Sequence, residues 1–104
     1  MDFDYDKLEL AETILDALGD FDGAEEGEIF SSLARAVGNP EYWGDDAEFN
    51  TLLGLCQSKA QRYMDGIIRN GHGVEELNDL LDDNSFDPVR TSEDVQKLLA
   101  VFNA

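Results

Sequence analysis

From Phe49 to Ile67 the apolar residues recur at the three- and four-residue steps of an α-helix. Phe49, Leu52, Leu53, Cys56, Ala60, Tyr63, Met64 and Ile67 form an almost unbroken stripe over five turns. A stripe of that length is stable in water only when other apolar faces cover it. The rest of the chain supplies such faces and no alternating strand pattern. Leu8, Ala11, Ile14, Leu15 and Leu18 predict a helix over residues 6–18, with Gly19 as its C-terminal stop. Ile29, Phe30, Leu33, Ala34 and Val37 predict a second over residues 24–37. Asp22 is placed to cap its start, Glu25, Glu26 and Glu28 suit the positive end of its dipole, and Gly38-Asn39-Pro40 ends it.

The stretch Glu41-Tyr42-Trp43-Gly44-Asp45-Asp46 reads as a loop or a single turn, and Asn70-Gly71-His72-Gly73 ends the long third helix. A short helix follows from Val74 to Leu81, with Val74, Leu77, Leu80 and Leu81 inward. After the turn at residues 82–88, Thr91-Ser92-Glu93-Asp94 resembles a capping box, with Asp a poorer partner than Glu. The last helix carries Val95, Leu98, Leu99 and Phe102. The expected fold is all-α: residues 1–104 as one acidic domain, a bundle of about five helices around a long central third helix. The apolar share, 42% of 104 residues, suffices for one compact core and not for two.

Charge is the second constraint. Twenty-four acids oppose seven Lys and Arg, for a net charge of −17. Residues 1–30 hold eleven acids and one lysine; residues 75–94 hold eight acids and one arginine. Residues 51–73 reverse the balance, with Lys59, Arg62 and Arg69 against Asp65 alone, as expected of a central helix whose cations answer acids on its neighbours. On the first helix Glu9, Glu12, Asp16 and Asp20 are placed opposite the apolar face, three or four residues apart. Like charges so spaced destabilise a helix by a few tenths of a kcal/mol per pair, so stability alone does not explain the row.

Three readings of the acidity compete. It keeps a small domain in solution; it adapts the chain to a salty interior, consistent with three lysines and fourteen Asp against ten Glu; or it imitates the phosphate backbone of a nucleic acid. Direct grip on nucleic acid is not expected, because phosphate binding needs clustered Lys and Arg. No run approaches the roughly 20 apolar residues of a membrane span. The acidic start, Met1-Asp2-Phe3-Asp4-Tyr5-Asp6, is unlike a secretory signal, and one cysteine makes no internal disulfide, so the expected location is cytoplasmic.

Catalytic chemistry finds little footing. One Cys and one His do not furnish a zinc site. Cys56 lies within the apolar stripe and reads as a core residue, and His72 as a dipole partner after a helix end. Aligning Gly23 with the glycine of a calcium loop puts Leu18 and Ile29 at its first and last ligand positions; aligning Asp83, Ser85 and Asp87 puts Pro88 where glycine belongs. Both alignments fail. No phosphate-cradling loop is present, and neither an enzyme nor a cofactor is expected. Tyr42 and Trp43, among Glu41, Asp45, Asp46 and Glu48, read either as an interface anchor with a charged rim or as a loop folded back on the bundle.

In size, acidity and lack of catalytic residues the chain resembles the small inhibitors that phages and mobile elements direct against host nucleases. These include anti-CRISPR and anti-restriction proteins, several of which imitate DNA. The resulting expectation is an acidic inhibitor that occupies a basic nucleic-acid-binding surface of a protein partner. The contact is assigned to Glu9, Glu12, Asp16, Asp20, Asp22, Glu25, Glu26, Glu28, Tyr42, Trp43, Asp45, Asp46, Asp82 and Asp83. The alternative is a non-catalytic adaptor, from a halophile in one version, that binds through an apolar patch.

Overall fold

In the computed structural model, residues 5–21, 25–39 and 46–102 are described here, without the side chains of residues 5, 25–27 and 46. Five α-helices follow in order: α1 (Tyr5–Phe21), α2 (Glu25–Val37), α3 (Asp46–Asn70), α4 (Val74–Asp83) and α5 (Ser92–Leu98), the last continued by a 3-10 turn at Leu99–Phe102. No strand occurs among the described residues.

Each helix buries the face that its period marks out. Leu8, Ala11, Ile14, Leu15 and Leu18 of α1 meet Phe30, Ala34 and Val37 of α2 and the stripe of α3, within one cluster that Leu77, Leu81, Val95, Leu99 and Phe102 complete. Phe49, Cys56, Ala60 and Met64 are wholly buried, whereas Tyr63 and Ile67 are only partly covered.

Helix α4 runs through Asp82 and Asp83, which the sequence places in the following turn, and two further differences bear on packing. Gly19 does not stop α1, which runs on to Phe21. The extra turn brings the Phe21 ring edge-on to Tyr63 at 6.4 Å, and aromatic burial outweighs the roughly 1 kcal/mol that a helical glycine costs. Ile29, placed on the core face from its spacing, is 44% exposed. The buried face of α2 is narrow, running through Phe30, Ala34 and Val37 with Leu33 partly covered, and Ile29 falls at its edge.

The connections are held by backbone chemistry. Gly73 precedes α4 with φ of +82°, a conformation that favours glycine, and a Cβ there would reach ordinary contact, 3.4 Å, with the Phe21 ring. Helix α4 ends in a Schellman arrangement: the Phe86 N–H donates to Leu81 O at 2.8 Å and the Ser85 N–H to Asp82 O at 2.9 Å. Ser85 occupies the left-handed position, φ +66°, that glycine normally fills. Ser85→Gly is therefore expected to stabilise the fold by about 0.5–1 kcal/mol, measurable as a rise in the urea midpoint.

Beyond that turn, Asn78 clamps Val89 from both sides. Its Nδ2 donates to Val89 O at 3.0 Å, and its Oδ1 accepts from Val89 N at 2.8 Å. Val89 is buried as a result, a core residue that lies in no helix. The capping box of α5 is formed: Asp94 N donates to Thr91 Oγ1 at 3.2 Å, and Thr91 N returns a bond to the Asp94 carboxylate at 3.2 Å. The carboxylate also accepts from Arg90 N, which with the Thr91 bonds holds Asp94 below its ordinary range. Asp65 accepts from Gln61 Nε2 and from Ser92 Oγ, tying α3 to the start of α5.

Candidate partner-binding surface

On α1, Glu9, Asp16 and Asp20 are exposed. Glu12 departs from the row. It is half-buried, and its carboxylate lies against the end of α2, with its atoms 2.8–2.9 Å from where a Cβ on Gly38 would stand. Its place at the margin of the α1 apolar face, beside Leu8, explains the turn toward α2. The Asp16 carboxyl is raised above its usual range, first by desolvation and then by the charge of Asp20, with Arg35 of α2 acting in the opposite direction. The ionised form of Asp16 is thus disfavoured on folding, so this residue opposes stability increasingly as pH rises above its unfolded-state pKa, and in full above the raised one.

Helix α4 carries a second acidic face. Glu75, Glu76, Asp79, Asp82 and Asp83 are all exposed, and its last turn contains no base. Asp82 and Asp83 belong to the expected contact set; Glu75, Glu76 and Asp79 extend it. Their three- and four-residue spacing was the available signal, the same one that marks the row on α1.

Several of these acids stand at the wrong helix ends for stability. Asp20 lies in the last turn of α1, and Asp82 and Asp83 in the last turn of α4, where the dipole favours cations. Each such carboxylate costs about 0.3–1 kcal/mol at low salt.

The two acidic elements meet around an apolar centre. Asp6, Glu9, Leu10 and Thr13 of α1 share a shallow hollow of about 360 Å³ with Asn84 and Phe86, directly after Asp82 and Asp83. Leu10 and Phe86 also border an adjoining hollow of about 550 Å³, with Pro88, Leu98 and Val101 as apolar walls and Asp87, Asp94 and Lys97 among its polar ones. Leu10 is 43% exposed there. Glu9 and the segment that follows α4, Asn84 to Phe86, thus share one surface.

Glu28 is exposed near the start of α2. Glu25, Glu26 and Asp46 occupy helical positions whose side chains are outside the described set, and Asp22, Tyr42, Trp43 and Asp45 lie outside the described residues altogether.

Among the described residues Lys59, Arg62 and Arg69 of α3 form no ion pair. Their side chains are exposed, where solvation competes well with a surface pair. Cys56 is fully buried, and burial pushes its thiol up to about 11. A protonated core thiol is a poor nucleophile. A small maleimide is expected to label it only after unfolding, within minutes in concentrated urea and over many hours in its absence. Rapid labelling of the folded chain would contradict its place in the core.

Among the described residues no group of three or more His, Cys, Asp or Glu is arranged to hold a metal ion, and no helix is long and apolar enough to cross a membrane. Comparison with protein-family models, with curated proteins and with solved structures finds no match in any of the three.

Proposed function

We propose that the protein is a non-catalytic acidic inhibitor that occupies a basic nucleic-acid-binding surface on a protein partner, acting in the cytoplasm without a cofactor. The observation that supports this reading is the pair of exposed carboxylate faces on α1 and α4, joined at the Leu10–Phe86 hollow. With Glu12 turned aside, Glu9, Asp16 and Asp20 of α1 present one charge per about 8 Å of axis, and the five exposed acids of α4 one per about 3 Å. Together the two faces approach one per about 2–3 Å, against about 1.7 Å for duplex DNA. The packed helices fix those charges in place, so little ordering remains to be done on binding. Placement of Asp20, Asp82 and Asp83 against their helix dipoles supports the same reading, because solubility alone is served equally by acids at favourable positions. The role is that of the small inhibitors that phages direct against host nucleases.

A second reading rests on the apolar centre of the same surface. Leu10, Phe86, Leu98 and Val101 offer an anchor for an adaptor whose acids serve only solubility. Salt separates the two. Capture from a host lysate is to be compared at about 0.1 M and about 1 M salt, with the captured proteins identified. The inhibitor reading expects a nucleic-acid-binding protein that is retained at low salt and released at high salt. Capture that persists or strengthens at high salt favours the adaptor.

A further inference from the structure

A second groove, sharing no lining residue with the acidic hollows, runs between α2 and the C-terminal half of α3. Its volume is about 430 Å³. Ile29, Phe30, Tyr63 and Ile67 make its apolar surfaces, and Lys59 and Arg62 stand on its rim. Phe30 and Tyr63 meet edge-to-face at 5.2 Å and together form its floor. We propose that this groove docks an acidic, apolar peptide segment of a partner protein, seating one bulky aliphatic or aromatic side chain between α2 and α3 and placing its flanking carboxylates on Lys59 and Arg62.

Charge complementarity selects that occupant. The chain has seven Lys and Arg in all, and two of them border this one apolar groove. They are three residues apart on α3, which puts them on one face about one turn from each other. Asp65, the only acid between residues 51 and 73, is engaged by Gln61 and Ser92 instead. The α3 wall of the groove is therefore cationic, within a chain of net charge −17.

The same net charge argues against a polyanion: a nucleic acid or an anionic membrane would meet two favourable charges and a large repulsive field beyond them. A second copy of this chain would bring another seventeen negative charges. A short segment with two or three carboxylates gains the local attraction and incurs little of the repulsion.

Two details fit a docked chain. Ile29 is 44% exposed at the groove although its spacing belongs to the core face. Gly66 lines the groove inside a helix, where glycine is unfavourable, yet a Cβ there would touch nothing within 4 Å. Packing within the chain does not call for glycine at that position; a segment lying close to the α3 backbone does.

The test uses the full chain and a fluorescein-labelled peptide, Asp-Glu-Leu-Phe-Asp-Glu, followed by anisotropy. A neutral counterpart, Asn-Gln-Leu-Phe-Asn-Gln, is run beside it. The acidic peptide is expected to bind at least tenfold tighter than the neutral one. Lys59→Gln with Arg62→Gln should remove at least tenfold, and Gly66→Leu should weaken both peptides by filling the groove. Circular dichroism establishes that each variant is folded, and heteronuclear shifts confined to residues of the groove locate the site in the wild type. The proposal is overturned if the acidic peptide fails to bind at millimolar concentration, or binds equally to the double Gln variant. Sedimentation showing a dimer that these substitutions dissociate would also overturn it, in favour of a second copy.

Discussion

Reversal of six exposed carboxylates to Lys, at Glu9, Asp16, Asp20, Asp79, Asp82 and Asp83, is expected to abolish partner binding while leaving the fold more stable. All six are exposed, so no core contact is lost. Asp20, Asp82 and Asp83 become cations at helix C-termini, where each gains about 0.3–1 kcal/mol from the dipole. The net charge falls in magnitude from −17 to about −5, which reduces self-repulsion as well. Binding moves in the opposite direction. If each interfacial charge contributes a typical 0.3–1 kcal/mol, six together supply about 2–6 kcal/mol, or roughly one to four orders of magnitude in affinity. Reversal also turns attraction into repulsion, so the loss is at least that large. Glu12 is left unchanged because it packs against Gly38 and would confound the two effects. A thermal melt and a titration against the captured partner read both quantities. A variant that is more stable and binds undiminished would remove these rows from the interface.

The largest effect on stability is expected at Phe49. Its ring is fully buried near the start of α3 within the common core, and truncating a buried Phe to Ala costs about 3–5 kcal/mol through lost transfer energy and the cavity left behind. A domain of this size has only about 5–15 kcal/mol in total. Phe49→Ala is therefore expected to lower the melting temperature by at least about 12 °C and to leave a measurable unfolded fraction at physiological temperature. Leu10→Ala provides the contrast: a side chain 43% exposed should cost under about 1 kcal/mol when shortened. A comparable loss at both positions would contradict the assignment of core and surface.

Helix count, order and apolar faces were legible because they follow from a period. The stripe of α3 and the Thr91–Asp94 capping box each depend on residues a few positions apart, and both stand where the spacing put them. What was not legible depends on partners distant in the chain. Gly19 reads locally as a stop, and only the meeting of Phe21 with Tyr63, forty-two residues away, shows why α1 continues. Val89 has no periodic neighbours, so its burial follows from Asn78 reaching across the turn rather than from any helical face.

The candidate surface divides in the same way. That α1 carries an acidic row is visible in its spacing; that Glu12 leaves the row depends on the approach of Gly38. The α4 face was open to the same reading as α1, but only its Asp82-Asp83 end entered the expected contact. That Glu9 and the Asn84–Phe86 segment after α4 border one hollow is a consequence of how α1 packs on α4, which neither helix encodes alone. The basic-rimmed groove depends in turn on Ile29 falling outside the core, a position that its spacing assigned inside.

Competition for the captured partner between this protein and duplex DNA tests the central claim most directly. Labelled duplex is titrated with the partner at about 0.1 M salt in the presence of increasing amounts of the acidic protein. A mimic shares the partner's phosphate-binding surface, so the apparent Kd for DNA should rise in proportion to the protein added, with no complex containing all three components. A stable ternary complex, with an affinity for DNA that the protein leaves unchanged, would contradict imitation of a phosphate backbone.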